Sequence, residues 1–237
     1  MHEKTVVIDC FPASVARYAS THVVVCVDVF RATTTAATAV AAGRRCFVAS
    51  TVEDAVELAR RLEDPLLVGE VGGNMPYGFD LTNSPAAIAE LSDPARPMVL
   101  VSSSGTPLLV AAQSACAAYV GSLRDYAALA DHLARRAQPI ALVGAGSRGE
   151  FREEDQLCCA WIAVRLLDHG FTTSDDATAT LIERWRSARP DAIVASASVD
   201  YLRRTGQLHD LDFVLNHVDD LDAVLTVEHD EVVPVRG

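Results

Sequence analysis

The sequence predicts an α/β fold, with buried parallel strands covered by helices, on three observations. Short β-branched runs alternate along the chain with Ala- and Leu-rich segments of helical length. Most of the β-branched runs are continuously apolar, as parallel strands buried on both faces are. Half of the 237 residues are hydrophobic but only 6% are aromatic, so the core must be built from the small and branched side chains of tightly packed α/β layers.

In chain order, strands are predicted at 5–8, 22–27, 46–49, 66–69, 98–102, 118–121 and 140–144. A helix at about 33–42 opens on threonines and closes on Gly43, and one at 52–62 has Thr51 to cap it. Further helices fit 84–91, 105–114, 123–136 and 153–169, the last stopped by Gly170. Residues 177–206 read as helical with interruptions, and 222–235 returns to strand, ending in Val232-Val233-Pro234-Val235. Residues 92–97 and 172–176 are turn-rich, and no fixed-period repeat or low-complexity tract occurs. The length admits one large domain or two small ones, and a boundary between two would fall near 125–138.

A formal net charge of −12 argues against a nucleic-acid partner, because no cluster of Lys and Arg is present to neutralise phosphates. An anionic small molecule needs a local reversal of that field, by a few arginines, helix N-termini or a bound cation. The six cysteines lack paired C-x-x-C spacing and read as reduced core residues. Residues 1–10 are too short and polar for a signal peptide, and no apolar stretch is long enough to span a bilayer, so the expected compartment is the cytoplasm, with no membrane partner.

Ligands of open α/β sheets bind outside the carboxyl ends of the strands, so those ends are the places to look for chemistry. The second predicted strand ends at Asp28, followed by Arg31 and Thr33-Thr34-Thr35. The fourth runs into Gly69-Glu70 and a loop rich in Gly and Asn. The fifth runs into Ser102-Ser103-Ser104-Gly105-Thr106, whose N–H groups and hydroxyls suit a phosphate at a helix start. The seventh runs into Gly144-Ala145-Gly146-Ser147, with Glu153-Glu154-Asp155 soon after.

Taken singly, each has an ordinary structural role: Asp28 as a helix cap, Glu154 and Asp155 as acids complementing a helix dipole, the serine run as a turn. Four polar strand ends together favour a site. Magnesium takes hard oxygen ligands, often one or two carboxylates completed by water and phosphate, and Asp28, Glu70, Asp80 and Asp155 supply such oxygens. Zinc is disfavoured, since neither the histidines nor the cysteines show ligand spacing. His209, His217 and His229 read as surface residues. No G-x-S-x-G or Walker pattern occurs, which favours metal-activated water over a serine nucleophile and leaves a covalent route through Asp28 or a loop hydroxyl open.

In order along the chain, Asp28-Val29-Phe30-Arg31-Ala32-Thr33-Thr34-Thr35, Gly69-Glu70, Gly78-Phe79-Asp80-Leu81-Thr82-Asn83-Ser84-Pro85, Ser103-Ser104-Gly105-Thr106, Ala145-Gly146 and Glu154-Asp155 resemble the 2-phosphosulfolactate phosphatase family. The resemblance implies a three-layer α/β/α fold with two similar subdomains and a cleft between them; the division falls at 1–130 and 131–237, or the chain is one integrated domain. It implies Mg²⁺-dependent hydrolysis of a sulfonated three-carbon acid phosphate. On this reading Ser103, Ser104, Gly105 and Thr106 contact phosphate, and Asp28, Glu70 and Asp155 bind the metal. Arg31 pairs with an anionic group of the substrate, Asp80 and Asn83 order the long loop over the site, and Glu154 or another acid is the general base for attack of water on phosphorus. The chain departs from the family pattern in two places. Ser103-Ser104-Gly105-Thr106 stands where Thr-Asn-Gly-Thr is usual, and Trp161 follows Ala160 where Gly is usual. Both departures bear on which ester is the substrate. A phosphatase for another hydroxy-acid or sugar phosphate and a non-catalytic phosphometabolite binder are the competing readings, and the apolar, Ala-rich composition leaves a homodimer open.

Overall fold

The computed structural model describes residues 4–136 and 138–235. Its strands are β1 (Thr5–Cys10), β2 (Val23–Val27), β3 (Cys46–Ala49), β4 (Leu66–Gly69), β5 (Met98–Val101), β6 (Ala118–Gly121), β7 (Ile140–Gly144), β8 (Thr172–Thr173), β9 (Leu225–Glu228) and β10 (Glu231–Pro234). The helices are α1 (Val15–Tyr18), α2 (Ala32–Ala41), α3 (Val52–Ala59), α4 (Pro85–Ala89), α5 (Gly105–Ala112), α6 (Tyr126–Ala134), α7 (Glu153–Asp168), α8 (Asp176–Trp185), α9 (Ala197–Arg204) and α10 (Leu208–Asn216), with 3₁₀ turns at Pro12–Ser14 and Pro190–Ala195.

All ten strands form one sheet in the order β4-β5-β3-β10-β9-β6-β2-β7-β1-β8. Two parallel blocks, β4-β5-β3 and β6-β2-β7-β1-β8, are joined by the β9–β10 hairpin. His229 and Asp230 form the hairpin's tip, both with positive φ as a two-residue primed turn requires. The steps β3 to β10, β10 to β9 and β9 to β6 are each antiparallel, so three reversals make the two blocks run in opposite directions.

The predicted division at 130/131 falls inside α6, and β7 lies between β1 and β2, so strands from either side of that point interleave in one sheet. The ends of those predicted halves, residues 1–3 and 236–237, lie outside the described residues.

Helices cover both faces, as the alternation along β2 shows. Val23, Val25 and Val27 belong to a core with Leu129 and Leu133 of α6 and Leu157 and Ile162 of α7. Val24 and Cys26 belong to another with Ala36 and Ala37 of α2 and Leu108 and Leu109 of α5. A smaller core seats α3, through Ala55, on Phe47, Ala49, Val99 and Val101. The architecture is therefore three-layer α/β/α. Helix α2 is buried from Ala32 through Ala39, so it carries small Ala and Thr side chains all round and lacks the charged face of a surface helix. All six cysteines are free and five are buried. Among the described residues no helix is long and apolar enough to cross a membrane.

Candidate active site

Although the two blocks run oppositely, their carboxyl ends line one cleft of about 540 Å³, walled by residues that follow β2, β4, β5 and β7 and by α9. Asp28 stands at the end of β2, and the threonine run fixes it there. Thr33 Oγ1 donates to the Asp28 carbonyl (2.8 Å) and accepts from its N–H (2.9 Å), while Thr34 Oγ1 donates to the Val29 carbonyl (2.9 Å). These bonds close the loop onto the first turn of α2, and the Phe30–Arg31 peptide within it is cis. From the other block, α5 begins at Gly105 against the same carboxylate. A Cβ on Gly105 would stand 2.1 Å from Asp28 Oδ2 and 2.5 Å from Ala32 Cβ, so only glycine permits the approach. Asp28 thus sits at the N-terminus of α5, where the helix dipole favours negative charge.

Two more acids share this desolvated space. Glu154 and Asp155, in the first turn of α7, are 1% and 3% exposed, and Asp28 is 8% exposed. Asp155 Oδ1 accepts the Val29 N–H at 2.8 Å, tying α7 to the loop after β2. Burial, reinforced by Glu70 and Glu154, pushes the Asp28 carboxyl up to about 7 against the opposing pull of the Ala32 N–H and Arg31. Burial also raises Asp155, with the charges of Asp28 and Glu154 adding to it, and raises Glu154. Glu154 Oε2 has no hydrogen-bond partner among the described residues. Glu70 is held within its own block: Oε1 accepts the Ser103 N–H (2.7 Å), and Oε2 accepts the Gly73 N–H (2.7 Å) and the Ser103 hydroxyl (3.0 Å).

Arg31 lines the cleft with Nη1 committed. It donates to Asp210 Oδ2 at 2.6 Å and to Gln207 Oε1, and it is 5% exposed. Asp210, on α10, is fully buried and also accepts the Ser84 hydroxyl (2.5 Å) and the Ala86 N–H (3.3 Å). One carboxylate therefore joins α10, the start of α4 and the loop after β2. Asn83 is 2% exposed, and its side-chain oxygen has no partner among the described residues. Tyr201 on α9 spans the cleft and donates to the Gly73 carbonyl at 2.6 Å. Among the described residues, no three His, Cys, Asp or Glu side chains lie close enough to enclose a cation by themselves.

The family whose sequence model is described as 2-phosphosulpholactate phosphatase matches residues 9–230. The chain belongs to this family. Relatives named probable 2-phosphosulfolactate phosphatase include proteins of Carboxydothermus hydrogenoformans (34% identical, covering 72% of this chain and 71% of that one) and Parasynechococcus marenigrum (29%, 95% and 93%). A third, with the same name, is from Deinococcus radiodurans (34%, 79% and 80%). The enzyme class that goes with membership is phosphoric monoester hydrolase.

Within this member of the 2-phosphosulpholactate phosphatase family, the cleft gathers Asp28, Arg31, Glu70, Asn83, Ser103, Ser104, Glu154 and Asp155 of the residues predicted from sequence. Three others have different work. Asp80 is exposed and lies outside the cleft, its Oδ2 accepting the Leu67 N–H at 2.8 Å, so it anchors the long loop on β4. Thr106 is buried and exchanges hydrogen bonds with Ser102, closing the turn into α5. Gly105 acts by lacking a Cβ. Trp161 is also away from the cleft: its indole N–H donates to the Trp185 carbonyl (3.2 Å) and its ring packs on Tyr126, so this departure does not shape the site.

Sequence reasoning missed Arg148, Arg152, Ser198, Tyr201, Arg204 and the anchoring Asp210. The first two follow the Gly-rich end of β7, a signal that could have found them. Ser198, Tyr201 and Arg204 come from α9 in the interrupted segment and Asp210 from α10 beyond it, and no strand end marks either helix.

Proposed function

We propose that this cleft hydrolyses 2-phosphosulfolactate to sulfolactate and inorganic phosphate with Mg²⁺ as cofactor. The observation that carries the reading is the convergence of Asp28, Glu154 and Asp155 in one desolvated space, each held above its ordinary carboxylate range. Three buried acids that repel one another fit a divalent cation, because its charge relieves both their repulsion and their burial. Mg²⁺ keeps several waters and takes one or two carboxylates plus phosphate oxygens, so the protein would supply only part of its coordination shell. Asp28 and Asp155 would hold it, while Glu70, whose two oxygens already accept from Ser103 and the Gly73 N–H, would reach it through one of its waters. The bound cation would offset the charge that develops on the phosphoryl group.

Protein groups supply the rest. Arg31, oriented by Asp210, would direct its remaining N–H groups to phosphoryl oxygens. Ser104, at the start of α5, would donate to the same group. Glu154 would take a proton from the attacking water as the phosphorus–ester oxygen bond breaks, and burial, which raises its carboxyl above the ordinary range, makes its carboxylate the stronger base. Asn83 has a buried acceptor free for a substrate or water donor.

Because Ser104 replaces an amide in the cleft wall, another small hydroxy-acid or sugar phosphate is the second reading. Phosphate release is measured from a panel of small esters including 2-phosphosulfolactate, with Mg²⁺ and with EDTA. Mg²⁺-dependent release greatest from 2-phosphosulfolactate is expected. Release only from other esters would keep the chemistry and reject the substrate, and release from none would leave a binding protein.

A further inference from the structure

Most arginines of this chain are paired with a carboxylate, including three near the cleft: Arg31 with Asp210, Arg152 with Glu150 (2.8 Å) and Arg203 with Asp200. Two cleft arginines are different. Arg148 has no carboxylate partner among the described residues. Arg204 has none either, its Nε donating only to the Asp200 carbonyl at 3.2 Å. They come from separate elements. Arg148 is at the tip of a tight turn after β7, where Ser147 and Glu150 exchange backbone hydrogen bonds (2.9 and 3.0 Å) and both Arg148 and Gly149 have positive φ. Arg204 ends α9. Both line the same cleft as the acids and Ser104.

In a chain of net charge −12, two guanidinium groups without a carboxylate partner put positive charge into a cleft that is otherwise rich in acids. Their planar forks suit oxyanions such as carboxylate and sulfonate. Arg31 and Ser104 already serve the transferred phosphoryl group. We propose that Arg148 and Arg204 form a second anion subsite that holds the non-transferred acidic groups of the ester and so sets specificity for polyanionic substrates. This rests on the cleft being the phosphatase site, and it deepens that reading by assigning the part of the substrate that does not react.

The test uses a matched three-carbon series, 2-phosphosulfolactate, 2-phospholactate and isopropyl phosphate, which carry two, one and no acidic groups besides phosphate. The quantity read is the ratio of kcat/KM for the first to that for the last, in the intact protein and in Arg148→Gln, Arg204→Gln and the double variant, with Arg→Lys variants retaining charge. Removing a charge-assisted hydrogen bond from one end of the substrate should lower that ratio about tenfold per arginine, with partial retention in the Lys variants. A ratio unchanged in the double variant would overturn the subsite. Calorimetric titration with sulfolactate, a dianion without phosphate, reads the subsite without turnover. Binding weakened about tenfold or more in the double variant is expected, and equal affinity would overturn the proposal. If the intact protein releases phosphate from none of the three esters yet loses sulfolactate binding in the double variant, the hydrolysis reading fails and the subsite stands.

Discussion

Replacing Asp210 by Ala tests the joint that holds Arg31 in the cleft. The carboxylate is fully buried and satisfies Arg31 Nη1 at 2.6 Å, the Ser84 hydroxyl at 2.5 Å and the Ala86 N–H at 3.3 Å, while Arg31 itself is 5% exposed. Removing one partner of such a pair leaves a buried charge uncompensated, at a cost of about 3–5 kcal/mol. At about 2–4 °C per kcal/mol for a chain of this length, Tm should fall by roughly 6–20 °C. Removing both charges, in Arg31→Met with Asp210→Ala, takes away the unpaired charge, so the double variant should lose less than the sum of the single losses. Thermal and urea unfolding followed by far-ultraviolet circular dichroism, arranged as a double-mutant cycle, reads this directly. An Asp210→Ala loss below about 1 kcal/mol, or additive singles, would refute the reasoning, because that range belongs to exposed pairs.

Three further outcomes follow from the cleft. Gly105→Ala places a methyl carbon 2.1 Å from Asp28 Oδ2, so stability should drop by about 1–3 kcal/mol, as overpacking does, with kcat falling sharply; unchanged kinetics would mean the close approach is not needed. Tyr201→Phe removes the donor to the Gly73 carbonyl, worth about 1 kcal/mol, and hydrogen exchange of the loop at 71–79 should speed up; equal protection would show that the hydroxyl does not clasp it. The pH dependence follows from carboxyls whose folded pKa is raised, from 3.8 to about 7 for Asp28 and for Asp125, both through burial first. Between those values the folded state binds more protons than the unfolded one, so this stability is present at acid pH and is lost as pH rises through about 7. In metal-free buffer Tm should therefore fall from about pH 5 to pH 8, and added Mg²⁺ should recover part of the loss; a Tm that rises over this range would contradict the assignment.

Much of the sheet was legible because buried parallel strands are written as short apolar runs. Residues 46–49, 66–69, 118–121 and 140–144 are strands with the predicted bounds. Boundaries slipped where a side chain ends a strand: Ser102 was read as strand, but its hydroxyl accepts the Thr106 N–H and belongs to the turn. The segment at 177–206 divides into α8, a 3₁₀ turn begun by Pro190, and α9. The helix α10 was missed because its buried residues, Asp210, Leu211 and Val214, include a charged one whose partner, Arg31, is distant in sequence.

The C-terminal strands were read as strand character, but not their position between the parallel blocks, since pairing partners leave little trace in one sequence. The candidate site divided along the same line. Asp28, Glu70, Ser103, Ser104, Glu154 and Asp155 follow or lie near strand ends, where chemistry is expected, and the cleft gathers them. Asp80 and Thr106 looked equivalent by type and position, but their hydrogen bonds go to the backbone. Arg204, Tyr201 and Asp210 reach the site or its joint only through tertiary packing of short helices, so no local pattern announces them.

The most direct test is phosphate release from 2-phosphosulfolactate by the intact protein, Asp28→Asn and Asp155→Asn, each with Mg²⁺ and with EDTA, on samples shown to be folded. The expected result is Mg²⁺-dependent release abolished by EDTA, and a loss of roughly a hundredfold or more in each variant, in the range for removing one group that stabilises transition-state charge. Full turnover in either variant, or release indifferent to EDTA, would contradict the assignment of these buried acids to a cation-dependent phosphatase site.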